Sequence, residues 1–124
     1  MGKYQFKDNK EFANIVLTEE ERREHIKKMV SMLKQLRFKL GITQREVAEI
    51  VGMTRNNYSA IENGRKELTW KYFLALLFFY SYNPYTRETV KESGVVSERL
   101  DQWLNISKPV SYTHLSSESQ RICI

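Results

Sequence analysis

Apolar residues recur at helical spacing along most of the chain, and short polar segments separate the runs. The first run follows Thr18 and Glu21, which form the capping-box pattern of a helix start, and Gly41 ends it. The spacing predicts a long first helix between Thr18 and Gly41. Its apolar positions are Ile26, Met29, Val30, Leu33, Leu36, Phe38 and Leu40.

Two short helices are predicted next. Thr43 repeats the capping-box pattern, and Thr54 can cap another helix after a stop at Gly52. The second helix is expected over about 44–51, and the third is expected to end at the Asn-Gly pair of 63–64. The side chains predicted to be buried are Val47, Ala48, Val51, Tyr58 and Ile61.

A fourth, strongly apolar helix is predicted after Thr69, over "WKYFLALLFFYSY", with Pro84 marking its end. Because this helix is apolar almost all round, it must be covered on more than one side. The segment after it is interrupted by Gly94 and predicts one or two further helices that supply the cover. Their apolar residues are Val90, Val95, Val96, Leu100, Trp103, Leu104 and Ile106.

These elements predict an all-α fold, a bundle of about five helices. A chain of 124 residues suits one compact domain with flanking material. We interpret residues 1–17 as an N-terminal arm, 18–106 as the domain and 107–124 as a tail. Within the tail, "VSYTHL" at 110–115 resembles one reading frame of the transposon mosaic end in sequencing adaptors, which favours an artefact. A natural disordered terminus is the alternative.

Composition narrows the function classes. Lys and Arg number 20 against 15 for Asp and Glu, and the net charge of +5 favours polyanionic partners. The single cysteine, Cys123, can close no intrachain disulfide. The N-terminus has no apolar signal core, and the longest apolar run, 72–80, is about half of a membrane span. These features predict a cytoplasmic protein that neither spans nor binds a membrane.

Two helices of two turns each are not stable alone, so their longer neighbours must hold them. Such a pair, joined by a glycine-containing turn, is a helix-turn-helix unit. The segment "TQREVAEIVGMTRNNYSAIENGRK" resembles that unit in the phage Cro and C1 repressor family, also called the XRE family. The resemblance covers roughly residues 32–82, and it implies a lambda-repressor-like bundle whose third helix enters the DNA major groove.

The resemblance also implies roles for individual residues. It implies that the residues contacting base edges are Thr54, Arg55, Asn56, Ser59 and Ala60. Among these, Arg55 can pair bidentately with guanine and Asn56 with adenine. Phosphate contacts, or support for them, fall to Gln44, Asn63, Arg65 and Lys66. Arg37 and Glu62 occupy the positions of a largely buried structural ion pair.

Two residues depart from the commonest family pattern. Tyr58 replaces a β-branched aliphatic residue and needs a roomier core. Ala60 stands where some relatives carry a long base-reading polar side chain, although its methyl can touch a thymine methyl. The number of directly read bases is therefore left open.

Three other features have competing interpretations. The mixed charges of "EEERREHIKK" favour a solvated helix face over a nucleic-acid site. The aromatic residues of the fourth helix and the segment after it could stack on bases or line a ligand pocket, but core packing plus a dimer surface is the favoured interpretation. These residues are Trp70, Tyr72, Phe73, Phe78, Phe79, Tyr80, Tyr82 and Tyr85. His25 and His114 have no further ligand at metal spacing and no catalytic partner. No metal, cofactor or enzymatic activity is predicted.

The sequence therefore predicts a transcription regulator, a repressor by family resemblance, that binds duplex DNA sequence-specifically as a homodimer. The first alternative is an antitoxin that captures a toxin through its aromatic C-terminal surface and represses their shared operon. The second alternative is a protein-interaction module that kept the fold and lost the DNA contacts.

Overall fold

The structure, a computed structural model, describes residues 16–107. This part of the chain is all-helical, as predicted, with six α-helices and no strand. The segment predicted to hold one or two further helices forms two, because Gly94 divides them. The helices are α1 (Glu19–Leu40), α2 (Gln44–Val51), α3 (Arg55–Glu62), α4 (Trp70–Tyr82), α5 (Arg87–Ser93) and α6 (Glu98–Leu104). Most of the predicted arm and tail lies outside the described residues.

The ends of the helices follow from local capping. The two predicted capping boxes form with reciprocal bonds: in each, the threonine hydroxyl accepts a backbone N–H at 3.1 Å and the glutamate accepts the threonine N–H at 2.8 Å. Gly41 and Gly52 end α1 and α2 in the left-handed conformation, with φ of 65° and 82°. Side chains with a Cβ are disfavoured there, so glycine fixes both stops.

The core lies between α1 and the shorter helices. The buried face of α1 packs on α3 and α4, and its His25 reaches Ser97 at the start of α6. Tyr58 is fully buried, so the core accommodates its ring. The buried apolar side chains include Met29, Met32, Leu33, Leu36, Val47, Ala48, Tyr58, Ile61, Phe73, Leu76, Leu77, Tyr80, Val90, Val95 and Leu100.

One apolar position of α1 is not on the buried face. The sequence pattern groups Phe38 with the core positions, yet its side chain is 65% exposed. Leu36 is fully buried, and two residues further along a helix the chain has turned about 200° to the opposite side. Phe38 therefore lies on the solvent side of α1 although it is one of the apolar positions of the helix.

Helix α4 is covered on several sides but not on all. The surrounding helices bury four side chains of α4, namely Phe73, Leu76, Leu77 and Tyr80. In contrast, Phe78 and Tyr82 are 69% and 72% exposed, and their rings stack on each other with centroids 5.7 Å apart. An exposed aromatic face therefore remains on α4.

Polar and aromatic contacts tie α6 to the N-terminal half of α1. His25 is buried; its Nδ1 lies 2.6 Å from the Glu21 carbonyl oxygen and its Nε2 lies 2.8 Å from the Ser97 hydroxyl. The carbonyl can only accept, so Nδ1 carries a proton and donates it, while Nε2 and the Ser97 hydroxyl form the second hydrogen bond. The Arg22 guanidinium lies over two indole rings, Trp70 at 5.2 Å and Trp103 at 5.1 Å. Helix α6 is thus docked by specific partners, and His25, for which the sequence analysis found no role, is one of them.

We expect His25→Ala to lower the free energy of unfolding by about 1–3 kcal/mol, because it removes a buried bond to Ser97 and leaves a cavity against Trp70 and Phe73. Denaturant unfolding followed by circular dichroism measures the change. Glu24→Ala, on the exposed side of the same helix, is the matched control. Equal stability of the two variants would contradict this account of α6 docking.

Candidate nucleic-acid interface

Helices α2 and α3 form a compact pair joined by a short turn. The backbone N–H of Met53 donates to the Ala48 carbonyl at 2.9 Å, which closes the end of α2. Thr54 then caps α3, its hydroxyl accepting the backbone N–H of Asn57 at 3.1 Å. Ala48 is 1% exposed where the two helices cross, so a larger side chain would separate them. The turn and the crossing together fix the direction of α3.

Helix α3 has two faces of opposite character. Tyr58 and Ile61 are buried against the scaffold. The first turn presents Arg55, Asn56 and Asn57 to solvent. One turn later Ser59 and Ala60 are half-buried at the boundary between the two faces. The side chains of Arg55 and Asn56 on the exposed face therefore remain available for hydrogen bonds to a partner.

An ion pair connects α1 with the end of α3. The Nη2 and Nε atoms of Arg37 donate to the two carboxylate oxygens of Glu62 at 2.8 and 3.1 Å. Arg37 also donates to the Ile42 carbonyl at 3.2 Å, and the Gln44 amide donates to Glu62 at 3.1 Å. The Glu62 side chain is only 1% exposed. The predicted ion pair is thus present, and Gln44 brings the start of α2 into the same network.

The surroundings of the ion pair set the charge state of its members. Burial alone would raise the pKa of Glu62, but hydrogen bonding to Arg37 and the interactions with Tyr58 and Gln44 outweigh it, so that pKa lies below its usual value. Bonding to Glu62 raises the pKa of Arg37. Burial raises the pKa of Tyr58 far above its usual range and that of Tyr80 to about 12. Both phenols stay neutral beside a charged pair.

A concave surface lies where α1 ends and where α2 and α3 begin. It is lined by Phe38, Gln44, Arg45 and Arg55, together with Arg37 of the ion pair. Arg45 and Arg55 are exposed, and the residues lining it include no carboxylate. The first N–H groups of a helix have no partner within that helix. The surface therefore combines cationic side chains with two helix N-termini, an arrangement that suits phosphate oxygens.

The α3–α4 connection brings a second cation to α3. Lys66 donates to the Asn57 side-chain oxygen at 2.8 Å, and the Asn63 amide donates to the Ser59 hydroxyl at 3.4 Å. The backbone N–H of Arg65 donates to the Ala60 carbonyl at 2.8 Å, which folds the connection back over the end of α3. Lys66 is thereby held beside the start of the exposed face.

The structure brings the predicted residues together in two groups. Gln44 and Arg55 share the concave surface at the helix starts, while Asn63, Arg65 and Lys66 follow the end of α3. The sequence interpretation did not include Arg45 and Asn57. Arg45 stands in the first turn after the Thr43 cap, where an exposed side chain was readable from the sequence. The Asn57 contact depends on the path of the connection, which no local pattern specifies.

Within residues 16–107 no group of three His, Cys, Asp or Glu side chains is arranged to hold a metal ion. None of the helices described is long and apolar enough to cross a membrane.

Residues 31–89 match the family model of a helix-turn-helix domain. The matched segment runs from within α1 to within α5 and so includes the α2–α3 pair and the ion pair. Neither the curated proteins nor the solved structures gave a match. The family match supports DNA binding and transcription regulation as the general function of this segment.

We expect Glu62→Gln to cost about 3–5 kcal/mol of folding free energy at neutral pH, because it leaves the charge of Arg37 without its buried partner. The folded-state pKa of Glu62 is lowered, so its contribution is present above the ordinary value of 4.5 and is lost as the pH falls through the lower folded-state value. Urea unfolding across this range should therefore show the difference between wild type and variant shrinking in acid.

Glu49→Gln, an exposed glutamate of α2, is the control and should stay close to wild type throughout. A difference between wild type and Glu62→Gln that is independent of pH would show that the ionised pair does not stabilise the fold.

Proposed function

We propose that this protein binds duplex DNA sequence-specifically, with α3 in the major groove, and that it regulates transcription in the cytoplasm, most simply by occluding a promoter. The observation that carries the proposal is the two-faced α3: Tyr58 and Ile61 hold the helix on its scaffold while Arg55 and Asn56 remain exposed. A helix of this kind, first turn outward, is the reading element of helix-turn-helix proteins.

The contacts divide into two kinds. Arg55 and Asn56 read base edges, and each good bidentate pair discriminates by about 1–3 kcal/mol. Thr54, Ser59 and Ala60 lie along the same exposed edge, with Ala60 offering only a methyl group. Phosphates are held on both sides of α3. The residues proposed for this are Gln44, Arg45, Asn63, Arg65 and Lys66.

Gln44 contributes chiefly through position. One N–H of its amide donates to Glu62 at 3.1 Å and so orients the start of α2; the same amide has a second N–H that can donate to a phosphate oxygen. Lys66 has a different role, because its bond to Asn57 can be exchanged for a phosphate oxygen when DNA docks. Charge-assisted bonds to phosphate are stronger than the bond to a neutral amide.

The two kinds of contact give different mutant signatures. We expect Arg55→Ala to reduce discrimination at one base pair, since a base contact is lost. Lys66→Ala should instead weaken binding to all sequences alike and change the slope of log K against log salt by about 0.9, because one phosphate contact is lost. Selection from a random duplex pool measures the first effect, and salt titrations measure the second.

Lys91→Ala removes an exposed cation from α5, away from the proposed interface, and serves as the charge-matched control. Equal losses on selected and random DNA for both Arg55→Ala and Lys66→Ala would contradict the division of roles.

We further propose that the protein acts as a homodimer on a two-fold-related site. The stacked pair Phe78 and Tyr82 supports this, since exposed aromatic side chains are enriched at protein interfaces. The same face favours a second candidate function, an antitoxin that captures a toxin and represses their operon. In that case the aromatic face is covered by an unrelated protein and not by a second copy.

Phe78→Glu should convert the dimer to a monomer, because a buried unpaired carboxylate at the interface is costly. Sedimentation equilibrium measures the molar mass of both forms. Leu104→Glu places the same charge at another exposed apolar position, 52% exposed on α6, and should leave the dimer intact. A monomeric wild type would exclude the homodimer and leave the α4 face to a different partner.

A further inference from the structure

Phe38 is an exposed aromatic residue in a polar, cationic setting. Its side chain is 65% exposed on the last turn of α1. Beside it on the same concave surface lie Gln44, Arg45 and Arg55. Exposing a large apolar side chain to water is unfavourable, so the position of Phe38 among cations needs a separate explanation.

Packing against Arg37 explains only a part of this side chain. The Arg37 guanidinium carbon lies 5.0 Å from the centre of the Phe38 ring, so the ring contributes some cover to the ion pair. However, that guanidinium is already bonded to Glu62 and to the Ile42 carbonyl. About two thirds of Phe38 remains exposed and covers nothing among residues 16–107.

The neighbours of Phe38 indicate what can cover it. Arg45 and Arg55 lie on one surface with the ring and can attract phosphate groups of a DNA strand. Each pair of successive phosphates in a strand is separated by a deoxyribose, whose C–H groups form an apolar surface. An aromatic ring placed among phosphate-binding cations therefore meets a sugar when the cations engage the backbone.

We propose that Phe38 packs against a deoxyribose of the DNA backbone and so positions the start of α2 and α3 on the duplex. This inference rests on the proposed function. The contact is apolar and independent of base sequence, so it adds affinity for all duplexes without adding to the salt dependence.

The test uses the full chain and a short duplex of random sequence, titrated between about 50 and 200 mM salt. The variants are Phe38→Ala, Phe38→Leu, Lys66→Ala and, as a control for an exposed apolar residue elsewhere, Leu104→Ala. A cooperative thermal unfolding transition serves as the check that each variant is folded. Phe38→Ala should weaken binding by about 5- to 30-fold at every salt concentration, with the wild-type slope, because apolar contact area is lost and no charge is removed.

Phe38→Leu separates the proposed contact from a purely structural one. Leucine keeps an apolar side chain for the sugar but has no aromatic face for Arg37, so it should recover most of the affinity if the sugar contact is what matters. In the complex, nuclear Overhauser contacts between Phe38 ring protons and deoxyribose protons should also appear. Leu104→Ala should bind as wild type, and Lys66→Ala should alter the slope.

Three results would overturn the inference while leaving the proposed function intact: wild-type affinity in Phe38→Ala, a changed salt slope in that variant, or no recovery with leucine. The second and third would show that the ring acts through Arg37. A folded wild type with no salt-dependent DNA binding would instead overturn the proposed function itself, and this inference with it.

Discussion

The buried ion pair of Arg37 and Glu62 is the constraint on which the arrangement of the domain depends. It joins the last turns of α1 and α3, and through Gln44 and the Ile42 carbonyl it also fixes the start of α2. Removing two charges from water is costly, and hydrogen bonds on nearly every side compensate for that cost here. The pair mainly fixes the relative orientation of the helices, because a bidentate ion pair allows one orientation whereas an apolar contact allows several.

The consequence for the proposed interface is that its parts are held by different means. The first turn of α3 is positioned from inside, by Tyr58 and Ile61 in the core and by the ion pair at its far end. Lys66 is positioned from outside, by an exposed hydrogen bond to Asn57. Exposed bonds exchange readily with solvent, while buried ones do not. The side chains proposed to read bases therefore stand on a rigid element, and the lysine proposed to bind phosphate keeps freedom to adjust.

Much of the fold was readable from the sequence because its signals are local. Thr18, Thr43, Thr54 and Thr69 each start a helix through a bond to the residue three positions on, and the glycines end two of them. Tertiary contacts were harder to read. His25 looked like part of a charged face, and only the docking of α6, 72 positions away at Ser97, shows why it is buried.

Phe38 shows the reverse case, since it is an apolar residue in an apolar run whose angular position on α1 places it outside the core. The ion pair was accessible only through family resemblance, because 25 residues separate its members.

Helix α1 has 22 residues without a break, which corresponds to about 33 Å. One end holds the ion pair and adjoins the start of α2, and the other end holds α6 through His25 and Arg22. A continuous α-helix transmits rotation as well as distance, since each residue advances the phase by about 100°. The angular relation between the α2–α3 pair and α6 is thus encoded in the residue count of one helix, and a single insertion or deletion midway along α1 would reorient one end of the domain against the other.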